Sequence, residues 1–108
     1  MRPETLKGHL DALLLAVVAD KPAHGYAIVE RLRERSGGAL ALPEGTIYPA
    51  LHRLERAGLL RSSWAAGTTR RRRVYSITAK GRRALGERRA EWRAFAGAVD
   101  SVLAEAPA

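Results

Sequence analysis

The chain has 108 residues, 46% of them hydrophobic, enough for one folded domain with a modest core. It has no cysteine, which excludes disulfides and thiol chemistry, and three histidines with scattered carboxylates make a poor zinc set; no metal or other cofactor is expected. The formal net charge is +8 and unevenly spread: residues 46–93 hold 13 of the 19 Lys and Arg but 3 of the 11 Asp and Glu, which points to a polyanionic partner.

Residues 6–19, LKGHLDALLLAVVA, place Leu6, Leu10, Leu13 and Val17 on one helical face, and Leu14 and Val18 widen it. A helix with so broad an apolar face sits between two packing partners. Its apolar run is too short to span a membrane, and no signal-peptide pattern opens the chain, so a soluble cytoplasmic protein is expected. ADKPAHG, residues 19–25, reads as a turn that Pro22 enforces. Residues 25–35 predict a second amphipathic helix with Tyr26, Ile28, Val29 and Leu32 inward. SGG ends it, with Gly37 or Gly38 as a left-handed cap.

The stretch PEGTIYPALHRLERAGLL, residues 43–60, predicts a third helix that Gly58 stops. Ile47, Leu51 and Leu54 share its apolar face. Gly45, Pro49, His52, Arg53 and Arg56 fall on the other side, with Tyr48 at the border. Two starts are compatible with the residues. If Thr46 caps the helix, Pro49 removes only an amide that had no partner; if the helix begins nearer Pro43, Pro49 should distort its first turns. Tyr48 either covers the core edge or reaches outward.

The period then changes. LLRSSW and RVYSIT read as two strands around AAGTTRRR, with Gly67 at the turn. Leu60, Ser62 and Trp64 alternate on one face, Tyr75 and Ile77 on the return strand. Four consecutive arginines, 70–73, make the tip basic, and alternation sends Arg71 and Arg73 to one face and Arg70 and Arg72 to the other. A lone hairpin is marginal, so its apolar face must rest on the helices. Thr78 is an N-cap for a long helix over roughly residues 79–105. Leu85, Trp92, Phe95, Val99, Val102 and Leu103 form a stripe near heptad spacing. That helix outruns its own domain, so a second subunit is expected on the surplus.

Three helices, a hairpin and a last helix is the order of a winged helix-turn-helix: mainly α with a small β-hairpin, plus a long C-terminal helix. The expected division is a DNA-binding domain at 1–78 and a dimerisation helix at 79–108. The recognition helix, about 44–57, would enter the major groove, and the wing, about 60–78, would lie along the flanking backbone. Thr46 and Tyr48 can hydrogen-bond phosphates, Gly45 and Pro49 permit close approach, and His52 and Arg53 are the expected base readers. A module that binds an acidic protein is the competing class. An enzyme is not expected, because no P-loop, Gly-x-Ser-x-Gly, metal-ligand cluster or nucleophile–base pair is present.

LLLAVVADKPAHGYAIVERL, LPEGTIYPALHRLERAGLL and RRRVYSITAKGR together resemble the PadR family of bacterial transcriptional regulators, over nearly the whole chain. With one helix after the wing, the chain is similar to the short subgroup. The resemblance implies a homodimeric repressor of double-stranded DNA that an effector releases. It implies DNA contacts at Thr46, Tyr48, Pro49, His52 and Arg53, with Arg56 beside them, and at the wing tip, Gly67, Thr68, Arg70 and Arg71. It also implies an interface between the first and last helices, here Leu10, Leu14, Trp92, Phe95, Val99 and Leu103. A small flat aromatic effector would bind at that interface, with Trp92 as the matching tryptophan.

Overall fold

The computed structural model describes residues 8–65 and 72–106. Along the chain run α1 (Leu10–Asp20), β1 (Ala23–His24), α2 (Gly25–Arg35), α3 (Glu44–Arg56), β2 (Leu60–Trp64), β3 (Arg73–Ile77) and α4 (Ala79–Leu103). The expected hairpin is present and gains a third strand, in the antiparallel order β1-β3-β2. Ala23 and His24, within the expected turn, pair with Tyr75 and Val74. Leu60 to Trp64 pair with Ile77 to Arg73 on the other side.

One core joins the helices to the sheet. Leu14, Leu15, Val17 and Val18 of α1 meet Ile28 and Leu32 of α2, Ile47, Ala50, Leu51 and Leu54 of α3, then Leu60, Tyr75 and Leu85. α1 is apolar around most of its circumference because α2, α3, β3 and α4 all touch it. This corrects one interface assignment: Leu14 is 0% exposed in the single chain and has no surface to offer a partner. Tyr26 is a second correction. Expected inward, it is 59% exposed and stacks on His24 at 6.4 Å, while Gly25, Ile28 and Leu32 turn inward.

The helix ends follow their local chemistry. His24 Nδ1 accepts from the Ala27 amide at the start of α2. At its end Gly37 and Gly38 both have positive φ, and their amides donate to the Glu34 and Arg33 carbonyls, the two-bond cap of a Schellman turn. Gly58 does the same for α3, with φ 78° and bonds from Gly58 and Leu59 to Glu55 and Leu54. Thr78 caps α4 as expected, its hydroxyl accepting from the Gly81 amide at 3.0 Å.

Candidate nucleic-acid interface

Of the two starts left open for α3, the structure takes the earlier: Pro43 is the N-cap and Pro49 lies inside the helix. The helix runs unbroken from Glu44 to Arg56 all the same. Pro49 has no amide to give the Gly45 carbonyl, and Gly45, with no Cβ, meets nothing within 4 Å at that position. The opening turn is thus backbone-rich and open.

Ile47, Ala50, Leu51 and Leu54 define the buried side of α3. At about 100° per residue, Gly45, Pro49, His52 and Arg56 then form the outward ridge, with Thr46 and Arg53 on one flank and Tyr48 and Glu55 on the other. The ridge residues, Thr46 and Arg53 are all exposed. Among the described residues, no ion pair engages His52 or Arg56. Arg53, expected to reach as far as His52, sits to the side: its Nη2 donates to Asp11 Oδ1 of α1.

Each flank of α3 is tied down. The Tyr48 ring lies over Gly25, where an added Cβ would come within 2.4 Å of its Cε1. Tyr48 is therefore half-buried and covers the core edge, with part of its surface left outward. Burial pushes its phenol above the ordinary range, with Glu44 adding to the effect, so the hydroxyl stays a neutral donor. Glu55 accepts from the Ser62 hydroxyl at 2.6 Å. Arg73 donates to that same oxygen at 2.7 Å, lies 3.6 Å from Glu55 and stacks 5.0 Å over Trp64. Arg73 thus serves the base of the wing. Trp64, expected on the strand face it shares with Leu60 and Ser62, is 54% exposed. Arg72 Nη1 stands 3.5 Å from His24 Nε2. Gly67, Thr68, Arg70 and Arg71, the expected wing-tip contacts, lie outside the described residues.

The end of α3 is fastened to the start of α4. The Thr78 hydroxyl donates to the Gly58 carbonyl at 2.7 Å, and Lys80 Nζ donates to that of Ala57 at 2.9 Å. At Gly81 a Cβ would fall 2.1 Å from the Leu59 carbonyl oxygen, so only glycine allows this approach. The C-terminal end of α3 and the first turn of α4 are therefore in direct contact.

α4 leaves the core after Leu85. Beyond it Trp92 is 53%, Phe95 60%, Val102 82% and Leu103 75% exposed, and Val99 is half-buried. Between α4 and α1 lies a groove of about 660 Å³ lined by Leu13, Ala16, Leu40, Arg88, Trp92 and Phe95, among others. The Trp92 ring meets His9 edge-on at 5.2 Å, and Arg88 donates to the Gly8 carbonyl at 2.7 Å. Leu10 is half-buried and packs against the core. Among the described residues, no cluster of three metal-binding side chains occurs and no helix is long and apolar enough to cross a membrane.

Sequence reasoning missed Asp11 and Gly25. Asp11 is separated from Arg53 by 42 positions, and no local pattern links them. Gly25 and Tyr48 were each visible, but only the fold brings them together.

Residues 14–87 match the model of the transcriptional regulator PadR-like family. The chain is 42% identical over 76 residues to the transcriptional regulator Rv3488 of Mycobacterium tuberculosis, covering 70% of this chain and 68% of that protein. A PadR family transcriptional regulator from Eggerthella lenta superposes with a TM-score of 0.83 at 34% identity, covering 95% of this chain and 88% of that one. A transcriptional regulator from Clostridium thermocellum shares the fold, with a TM-score of 0.86 at 24% identity over 96% of this chain and 99% of that one. The fold, the turn chemistry and these matches agree: the chain belongs to the PadR-like family of transcriptional regulators, which implies DNA binding.

Proposed function

We propose that the protein is a homodimeric, sequence-specific repressor that reads a palindromic operator in the cytoplasm. The observation that carries this reading is the outward ridge of α3, open and polar opposite a fully buried apolar face. In this reading His52 and Arg56 meet base edges from the ridge, with Arg53 at its margin. Thr46, the Tyr48 hydroxyl and the open backbone at Gly45 and Pro49 hold phosphates. Gly67, Thr68, Arg70 and Arg71 extend the contact along the flanking backbone.

Residues 1–78 supply the DNA surface and 79–108 the assembly helix, with Gly81 and Leu85 rooting that helix in the first part. The exposed apolar end of α4 supports pairing with a second copy, through Trp92, Phe95, Val99 and Leu103 with Leu10 of α1. The groove beside Trp92 suits a small flat aromatic effector, whose entry would shift the paired helices and release DNA. No catalytic step belongs to this function.

The test is a titration of the full chain against a duplex it selects from a randomised pool and against a scrambled duplex, at several salt concentrations. A specific complex about 10³-fold or more tighter than the scrambled one, weakening steeply with salt, is the expected result. Equal affinity for both duplexes would leave only a basic surface and favour an acidic protein as partner.

A further inference from the structure

Arg53 lies on the flank of α3, and its guanidinium is held by Asp11 in the first turn of α1. The arginine side chain is still 55% exposed, and the carboxylate 29%. His52 and Arg56, one position before and three after, carry no such tether among the described residues. An untethered arginine on this flank can swing to whichever phosphate is nearest, whatever the sequence. A tethered one favours a place at the margin of the recognition face, and a guanidinium holding one carboxylate keeps further N–H donors to present there.

We propose that Asp11 is a specificity-determining positioning residue: it holds Arg53 at one point beside the outward ridge and keeps it from pairing indiscriminately with phosphates. This rests on the DNA-binding reading above. Asp11 also follows from the architecture, since α1 packs directly on α3 and presents its first turn to the Arg53 flank. The bond is an exposed ion pair and therefore weak, so it biases the arginine without freezing it.

The test uses full-length Asp11→Asn, Asp11→Glu, Arg53→Ala and the double variant Asp11→Asn with Arg53→Ala. The duplexes are one selected by the wild-type protein from a randomised pool and a scrambled one of the same composition. Asp11→Asn is expected to tighten scrambled-duplex binding and lower the selected-to-scrambled ratio up to about fivefold, the ceiling of an exposed ion pair. It should also steepen the log-affinity against log-salt slope by about 0.9, one added phosphate contact. Asp11→Glu should retain the wild-type ratio. In the Arg53→Ala background, Asp11→Asn should change neither ratio nor slope.

An Asp11→Asn variant that melts like wild type and keeps its ratio and slope overturns the proposal. So does a gain that persists without Arg53, because the carboxylate then acts by simple repulsion. Wild-type protein that fails to discriminate the two duplexes at all sinks the DNA reading itself, a separate result.

Discussion

α3 and α4 are both amphipathic, yet they leave opposite surfaces uncovered. α3 buries Ile47, Leu51 and Leu54 and turns polar and basic residues outward. α4 does this only as far as Leu85, then carries Trp92, Phe95, Val102 and Leu103 into the open. An open polar face beside a basic wing calls for a charged, hydrated partner, whereas an open apolar stripe calls for another apolar surface. The chain thus carries two different open surfaces, and the contacts of Thr78, Lys80 and Gly81 fasten the end of α3 to the start of α4 between them.

The largest effect should come from breaking the α4 surface. Val99→Asp puts a charge within the stripe and is expected to give monomer in sedimentation. Loss of the second half-site contact should then weaken operator binding by about 100-fold or more. An unchanged dimer mass would move the interface elsewhere. Next comes the contact between α3 and α4. Gly81→Ala drives a methyl into the Leu59 carbonyl, and urea unfolding should show a loss toward the upper end of about 1–3 kcal/mol. Stability equal to wild type would mean that α4 can ride away from α3 without cost.

On the recognition face the change should be confined to binding. Arg56→Ala is expected to cost about 1–2 kcal/mol on a selected duplex and less on a scrambled one, with melting unchanged. Equal losses on both would make Arg56 a phosphate contact. The smallest effect is expected at the wing tip, where Arg71→Ala should weaken all duplexes alike and flatten the salt slope by about 0.9. A loss confined to one sequence would assign the wing a reading role.

Much of this was legible in the residues because the signals were local. Gly37, Gly38, Gly58 and Thr78 mark helix ends by their own backbone or hydroxyl chemistry, and the structure uses all four in that way. The apolar face of residues 47–54 was equally plain from spacing. β1 was not, since two residues cannot show an alternation. Leu14 was misassigned because a helix apolar on nearly all sides has no periodicity that separates a core face from a partner face. Tyr26 was misread because a tyrosine at the first turn of a helix can turn either way, and the smaller Gly25 took the inward place. Arg53 is exposed as expected, but its tie to Asp11 was invisible because a helical wheel carries no knowledge of another helix. Long-range partners, not local preferences, decided β1, Leu14 and the tether of Arg53.

The absence of cysteine permits a direct measurement of which surface meets DNA. A DNA-cleaving label would be attached through His52→Cys on α3 and, separately, through Ser101→Cys near the far end of α4. The account predicts that the α3 label cuts a selected duplex at two places about one helical turn apart, or a multiple of that, while the α4 label leaves it intact. Cleavage from the α4 label with none from α3 would contradict it.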